Sequence, residues 1–314
     1  MKILVTGGAG FIGSHVVDAF LAAGHEVAVV DNLATGSRRW LNPRARFHLA
    51  DLRSARLGEV FTAERPQLVA HLAAQAAVSR SVADPAFDAG VNILGGLNLL
   101  ECCRRFGVRR LIYSSTGGAA YGDTDVLPTP EDHPTLPASP YGVSKVAFER
   151  YAAAWSGLYG ISAVSLRYAN VYGPRQSPHG EAGVVAIFCH RLLASEPCVV
   201  NGDGGQTRDY VFVNDVAAAN LLALERADVT GAVNIGTGVE TSVNELYLAL
   251  AKAAGVTAPA RHGPARPGEQ RRSCLSPALA KRVLGWNPAV PLADGLARTF
   301  EFAKTDLTRK EPTP

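Results

Sequence analysis

Through the first half of the chain, short β-branched runs alternate with longer segments whose apolar residues recur every three to four positions. Strand-like runs fall at residues 2–5, 26–30, 67–71 and 109–115, with a weaker one near 45–49. Helix-period segments lie between them, near 11–23, 53–64 and 88–105. Strands separated in this way cannot pair as tight hairpins; they need crossover connections, which build βαβ units and a parallel sheet. A further helix is predicted from Pro140, a residue type suited to a first helical turn, to about Tyr159, and a strand follows at 162–168. Beyond Gly173 the alternation loosens. Helices near 183–194, 214–225, 242–254 and 292–304 no longer form clean βαβ pairs.

Composition narrows the picture mainly by exclusion. A chain of 314 residues accommodates two domains of ordinary size. Its 31 Lys and Arg against 28 Asp and Glu leave a net charge of only +3, too weak a field to neutralise many phosphates, so no nucleic-acid partner is expected. The N-terminus enters a strand at once, and no apolar run reaches about 18 residues, so no membrane association is expected and a cytoplasmic location is. Five cysteines, Cys102, Cys103, Cys189, Cys198 and Cys274, form no even framework and no CxxC pair, which predicts free thiols. His71, His133, His179 and His190 lack metal-ligand spacing, and no metal is predicted.

The candidate chemistry begins at the first strand. Gly7, Gly10 and Gly13 follow it directly and open an amphipathic helix. In that context glycines permit a tight turn and close approach of backbone N–H groups to a pyrophosphate, while the helix N-terminus adds partial positive charge. Asp31 ends the second strand, where a carboxylate can bind an adenosine ribose and repel a 2′-phosphate, so NAD is expected rather than NADP. Arg38 and Arg39 lie nearby, and arginine is the usual partner of that extra phosphate. The expected fold class is therefore α/β, a Rossmann-type doubly wound parallel sheet with a smaller C-terminal α/β lobe that binds substrate. The expected division is residues 1–172, joined again by segments at about 207–238, and mainly 173–314 for the lobe.

Tyr141 and Lys145 sit four residues apart at the start of a predicted helix, on one face. A free tyrosine is a poor base at neutral pH, so a neighbouring ammonium and an oxidised nicotinamide are needed to favour the phenolate. Lys145 is also suited to hold the nicotinamide ribose. Ser114, Ser115 and Thr116 end the strand at 109–115 and bring hydroxyls to the carboxyl edge of the sheet; Thr116 is the candidate that faces substrate.

At this point the chain resembles the extended short-chain dehydrogenase/reductase family, and within it the UDP-glucose 4-epimerases. The resemblance rests on Thr6 to Gly13, Asp31 to Leu33, Asp51-Leu52, His71 to Gln75, Asn92 to Glu101, Ser114 to Thr116, Tyr141 to Lys145, Arg167 to Pro174, Thr207 to Tyr210 and Arg266 to Glu269, which span nearly the whole chain. It implies that Asp51 and Leu52 flank the adenine and that Ala73, Ala74 and Asn92 line the cofactor path. By the same resemblance Phe11, Ile12, Asn32, Leu72, Gln75 and Tyr168 join the cofactor contacts. Asn170 is implied to meet the nucleotide sugar, Arg208 and Arg266 its diphosphate, with Glu269 and Ser273 also on the substrate side. A homodimer built from the helices near 88–105 and 140–159 is implied as well.

The family's mechanism would have Tyr141 take the proton of the sugar 4-hydroxyl as hydride leaves C4 for NAD, with Thr116 bonded to that oxygen. The resulting 4-keto sugar turns over and receives the hydride on its other face. Departures matter too. Relatives that eliminate water or decarboxylate carry an acid just after the threonine, and here Gly117 and Gly118 stand there. The Gly-Gly stretch is one residue longer than the commonest epimerase version, which leaves open which of the three hydroxyls faces substrate. Gly96 replaces the usual threonine. The resemblance also implies that Ser273, seven residues after Arg266, is a gatekeeper beside the sugar, and a side chain this small there would leave room for a 2-acetamido group. UDP-glucuronate is an alternative substrate, with Arg175, Arg191 or Arg271 as candidate carboxylate partners; NADH-releasing dehydrogenases and non-catalytic NAD sensors are the remaining alternatives.

Overall fold

The computed structural model describes residues 1–179, 183–257, 259–265 and 270–308. Arg266 and Glu269, expected on the substrate side, lie outside the described residues. Among the described residues, strands β1 (Lys2–Thr6), β2 (Glu26–Asp31), β3 (Arg46–Leu49), β4 (Leu68–His71), β5 (Arg110–Thr116), β6 (Ser162–Tyr168) and β7 (Gly231–Ile235) form one parallel sheet in the order β7-β6-β5-β4-β1-β2-β3. The order reverses between β1 and β4, and in open sheets of this kind the carboxyl-edge crevice at the reversal is where ligands bind. This is the Rossmann-type α/β fold.

Alternation along each strand decides which helices cover which face. Ile3, Val5, Val27, Val29, Ile112 and Val164 point to one side, where Val16, Val17 and Phe20 of α1 (Phe11–Ala22) and Val216 and Ala219 of α8 (Val213–Glu225) pack on them. Leu4, Ala28, Val30, Val69 and Leu111 point to the other, against Leu57 and Phe61 of α2 (Arg56–Glu64), Leu99 of α5 (Gly95–Arg105) and Phe148 of α6 (Pro140–Tyr159). With both faces covered, the central strands β1, β2 and β4 are apolar along most of their length, as buried parallel strands tend to be. Beyond Gly173, a third core joins Phe188 of α7 (Val184–Leu193), Leu246 and Leu250 of α9 (Val243–Ala254), Leu296 and Phe300 of α11 (Leu292–Thr308), and Tyr172, Tyr210 and Phe212. The short helix α10 (Ala278–Leu284) packs Leu284 against the main sheet's core.

One predicted helix is present but unevenly wound. The segment read as continuous near 88–105 consists of α4 (Pro85–Ala89), a π-helical turn at Gly90–Leu94 and then α5, with α3 (Val78–Ala83) ahead of it. Pro85 holds Asp84 in an extended conformation, and Asp84 Oδ1 caps α4 by accepting from the Phe87 N–H at 2.9 Å. In α5, a Cβ on Gly96 would stand 2.4 Å from the Phe148 ring, so the ring fills the space of the missing threonine side chain.

α6 begins as predicted, with Ser139 capping the Gly142 N–H and Pro140 in the first turn, and Gly160 ends it in the left-handed conformation at φ 70°. Arg110 has no carboxylate within hydrogen-bonding range among the described residues. Instead its guanidinium donates to the carbonyls of Ala223, Arg226 and Val229, which lie in or just beyond the C-terminal turn of α8 and carry its negative partial charge. No described helix is long and apolar enough to cross a membrane.

Candidate active site

The turn after β1 is built by steric necessity. Gly7 adopts φ +72°, and a Cβ there would lie 2.6 Å from the Ala73 nitrogen; at Gly13 it would lie 2.1 Å from the Gly7 carbonyl oxygen. Both positions exclude side chains, and the turn closes with Gly10 N–H donating to Gly7 O at 3.1 Å. Asp31 completes it from β2: Oδ2 accepts from Ala9 N–H at 3.0 Å and Oδ1 from Leu33 N–H at 2.8 Å. From β4, His71 Nδ1 meets Thr6 Oγ1 at 2.8 Å, and the same hydroxyl oxygen accepts from Ala73 N–H at 3.2 Å. Burial pushes the His71 imidazole down to about 3, so it is a neutral strut at any physiological pH.

The cleft in front of this turn measures about 1070 Å³ and is lined by Gly7, Gly10, Phe11, Ile12, Gly13, Asp31, Asn32, Asp51, Leu52, Leu72, Ala73, Ala74 and Gln75 among others. These residues, expected from sequence as cofactor contacts, are thus brought to one surface. A side-chain-free turn at a helix N-terminus, facing a cleft of this size with a carboxylate at the end of β2, fits a dinucleotide. Asp51 is held by Arg53, Nε to Oδ1 at 2.8 Å, and by Asn32 Nδ2 at 2.8 Å, which keep its carboxyl well below the usual carboxylate range. Arg39 is engaged by Asp306 at 2.8 Å and by the Trp40 ring, while Arg38 lies over Phe47.

Asn92, Tyr141, Lys145 and Tyr168, also expected as cofactor contacts, are not among the residues that line the cleft. Asn92 is buried in the π-helical turn, where its Oδ1 accepts from Gln75 N–H at 2.9 Å and its Nδ2 donates to Gln75 O at 2.9 Å, Ser144 Oγ at 3.0 Å and Asp88 Oδ1 at 3.1 Å. It holds the Ala73–Gln75 loop from behind. Tyr168 is 5% exposed, and its hydroxyl accepts from Asn220 Nδ2 at 2.8 Å and bonds Ser114.

The reactive groups gather where β5 ends against the first turns of α6, next to Ser114, which lines the cleft. Lys145 Nζ donates to the Ser114 carbonyl at 2.5 Å and lies 4.5 Å from the Tyr113 ring centre. Thr116 Oγ1 accepts from Ala119 N–H at 3.1 Å, which leaves its proton to donate, and its partner is the Tyr141 phenol oxygen. Of the three hydroxyls at the strand end, Thr116 is therefore the one on Tyr141; Ser115 turns to Glu149 and Ser114 to Tyr168. Burial pushes the Tyr141 phenol up to about 12, against the Thr116 hydrogen bond, and pulls the Lys145 ammonium down to about 8, against the nearby carboxylates of Glu149 and Asp88. At neutral pH the pair is thus a phenol beside an ammonium, poised for proton transfer once positive charge arrives next to it.

The sugar end is assembled from remote segments. Gly117 packs on Leu275, whose side chain would lie 2.3 Å from an added Cβ, whereas a Cβ on Gly118 would reach Asn170 Oδ1 at 3.7 Å and Ser273 Oγ at 4.0 Å. At Gly117, the first position after the threonine, Leu275 occupies the space an acidic side chain would need, whereas a Cβ at Gly118 would make only ordinary contacts. Arg208 and Ser273 are register partners in a small sheet formed by Thr207–Arg208, Arg272–Ser273 and Thr241–Ser242. Asp209 locks this region: its buried carboxylate accepts from Thr237 N–H and Oγ1, Gly238 N–H and Leu275 N–H at 2.6–3.2 Å. The arginines considered for a carboxylate substrate are engaged elsewhere, Arg175 with Asp18 and Arg271 with Asp203, each at 2.8 Å, and Arg191 with the Pro197 carbonyl at 2.9 Å.

Sequence reasoning misses the roles of Asp209, Asp88 and Glu149. Glu149 had a signal, since it continues the spacing of four from Tyr141 and Lys145. Asp88 and Asn92 are also four apart, but only the π-helical turn reveals their shared target.

Residues 3–236 match the model of the NAD dependent epimerase/dehydratase family. The chain is 47% identical over 307 residues to the UDP-glucose 4-epimerase of Mycolicibacterium smegmatis, covering 96% of this chain and 98% of that one. It is similar to the crystal structure of a UDP-glucose 4-epimerase with UDP-glucose from Thermotoga maritima, at TM-score 0.95 and 48% identity over 98% of this chain and 100% of that one. It is also similar to the NAD complex of the UDP-glucose 4-epimerase from Thermus thermophilus, at TM-score 0.92 and 48% identity over 97% and 99% of the two chains. With a glycine cradle, a Thr-Tyr-Lys cluster at the sheet edge and relatives matching end to end, this chain belongs to the NAD dependent epimerase/dehydratase family.

Proposed function

We propose that this protein catalyses NAD-dependent 4-epimerisation of a UDP-hexose, UDP-galactose and UDP-glucose being the pair, through a transient 4-keto sugar. The observation that carries the reading is the bonded Thr116–Tyr141 pair beside Lys145, with glycine rather than an acid following the threonine. When bound, NAD supplies a reversible hydride acceptor for C4 of the sugar. The residues that would hold it are the Gly7–Gly13 turn, Asp31, Asn32, Asp51, Leu52 and Leu72–Gln75.

Tyr141 accepts the 4-hydroxyl proton, keeps it, and returns it to the same oxygen after the ring has turned. Thr116, whose hydroxyl bonds the Tyr141 phenol in the free protein, turns that hydroxyl to the sugar 4-oxygen when substrate lies between them. Lys145 keeps positive charge next to the phenol, which favours the phenolate. Among the described residues no carboxylate lies within 4 Å of a Cβ on Gly118, and glycine stands where an eliminating relative carries its acid, which favours return of the hydride to the keto sugar over elimination. Residues 1–172 with 207–238 serve the cofactor, and the remainder of 173–314, with Asn170, Arg208, Arg266, Glu269 and Ser273, serves the UDP-sugar.

The small side chain of Ser273, whose Oγ would lie 4.0 Å from a Cβ on Gly118, supports acceptance of the N-acetylated pair as well. A homodimer is supported by apolar side chains on the outer face around α5 and α6, where Leu94, Val143 and Leu158 are 63%, 50% and 69% exposed in the single chain. A cytoplasmic location suits a nucleotide-sugar enzyme that relies on NAD. Proton NMR of the purified protein with UDP-galactose, UDP-N-acetylgalactosamine and UDP-galacturonate in turn tests the reading. Conversion of the first to UDP-glucose supports it; no conversion of any of the three, with NAD added, overturns it.

A further inference from the structure

Behind the Tyr141–Lys145 turn lies a buried polar cluster that the reaction above does not use. Tyr141, Lys145 and Glu149 recur every four residues along α6 and engage three consecutive residues of β5. Tyr141 bonds Thr116, Lys145 bonds the Ser114 carbonyl, and Ser115 Oγ donates to Glu149 Oε1 at 2.5 Å. From β6, Arg167 donates to the same carboxylate through Nε at 3.0 Å and Nη2 at 2.6 Å. Its Nη1 donates to Tyr121 Oη at 2.8 Å, and Tyr121 donates to Asn234 Oδ1 at 2.8 Å. Ser115, Glu149, Arg167, Tyr121 and Asn234 are all buried.

The cluster ties together the strand end that carries Thr116, the helix that carries Tyr141 and Lys145, and the loop of Gly117 and Gly118, to which Tyr121 belongs. Stability alone does not account for it. Apolar residues of similar volume often stabilise a core at least as well as a buried ion pair, whose charges must first be stripped of water. What an ion pair with directional bonds supplies instead is fixed geometry and fixed charge.

We propose that Glu149 and Arg167 form a positioning pair for the reaction, fixing Thr116 against Tyr141 and setting the charge felt by the Lys145 ammonium. This rests on the epimerase reading above. The groups facing Lys145 are Tyr141 and Glu149 on its own helix, the Ser114 carbonyl and Tyr113 ring on β5, neutral His71 on β4 and Asp88 on α4. Arg167 offsets part of the Glu149 charge. Without the carboxylate, the Lys145 ammonium loses the attraction of Glu149 while the Arg167 charge is left unbalanced, which favours loss of the Lys145 proton; without Arg167, Glu149 acts on Lys145 undiluted and favours its retention.

Glu149→Gln keeps the side-chain shape and an acceptor for Ser115. It is expected to lower kcat about 10- to 100-fold with KM for UDP-galactose within about twofold, because misplacement of a reacting group acts on the chemical step. The alkaline limb of the kcat–pH profile is expected to move down by about one pH unit. Arg167→Met should move that limb up, and the double variant should bring it back toward the wild-type position. Arg167→Lys, which keeps the charge and loses the fork, should lower kcat without moving the limb.

A merely structural role predicts activity lost in proportion to the folded fraction, measured by thermal unfolding, with the limb unmoved in every variant; that result overturns the proposal. If Arg167→Met does not fold, the opposed behaviour of Glu149→Gln and Arg167→Lys decides it. The wild-type protein in the same assay separates the two readings. Absence of its turnover faults the epimerase assignment, whereas wild-type turnover with unmoved variant limbs faults only the positioning pair.

Discussion

The cofactor cradle and the sugar end are built on opposite plans. The cradle comes from the first 75 residues, in strands that are neighbours in the sheet, and its shape is enforced by backbone: side chains are excluded at Gly7 and Gly13, and Asp31 and Thr6 tie the turn to β2 and β4. The sugar end draws on residues 117–118, 170, 207–209 and 272–275, and one buried carboxylate, Asp209, holds its loops through four donor groups on three residues. A rigid cradle suits a cofactor kept through every cycle. A site assembled from short, remote segments suits a sugar that must turn over while its nucleotide stays anchored. The difference shows that permanent and transient ligands can be told apart by what fixes their sites.

Substitutions can break this contrast, and the largest effect is expected where the two halves meet. Tyr141→Phe should lower kcat by about 10³-fold, within the usual range for losing a positioned proton-transfer group, while the NAD released on denaturing the protein stays at the wild-type amount. On the cradle side, Gly13→Ala drives a methyl group into the Gly7 carbonyl and should destabilise the fold by about 1–3 kcal/mol or more, with loss of retained NAD, as read by denaturant unfolding and cofactor release. On the sugar side, Asp209→Asn turns an NH₂ group toward bonded donors and should cost about 1–3 kcal/mol. Its kinetic signature is a raised KM for UDP-galactose with NAD content unchanged. The smallest effect sharpens the contrast: Ser273→Tyr should suppress turnover of the acetylated pair while sparing the plain pair, and equal loss of both would remove Ser273 from substrate selection.

Titration separates the regions as well. Lys145 holds its proton below about pH 8 and loses it as pH rises through that value, so activity should fall on the alkaline side. Tyr141, pushed up to about 12, does not set that limb in the cofactor-free protein. His71 acts on stability instead: its folded pKa of about 3 lies below the unfolded 6.5, so the unfolded chain takes up the proton first. Its contribution is fully present above pH 6.5 and is lost as pH falls toward 3, which denaturation midpoints at pH 7 and pH 5 would reveal.

The same contrast governs how much could be read from sequence. The glycine turn, Asp31 and the Tyr141–Lys145 spacing were legible because local rules fix them: a strand, a turn that excludes Cβ atoms, a helix with a period near four. The helix over 140–159 was legible from Pro140 at its start. The π-helical turn at Asn92 was not, because an apolar period survives an inserted residue, and only the pull of Gln75 on the Asn92 amide shows why the helix is wound differently there. Asp209 and the Glu149–Arg167 pair were hidden for a different reason. Their partners come from strands and loops up to 66 residues away in sequence, and pairing over such distances is a property of the packed fold.

The central claim is that oxidation and reduction of one sugar occur at one site without release of the cofactor. UDP-galactose carrying deuterium at C4 should therefore be incubated in ordinary water with purified protein, and the product followed by NMR and mass spectrometry. UDP-glucose that retains the deuterium at C4, with no free NADH accumulating, is the result expected from the Tyr141 site. Deuterium lost from the product, or NADH accumulating in proportion to sugar consumed, would contradict it.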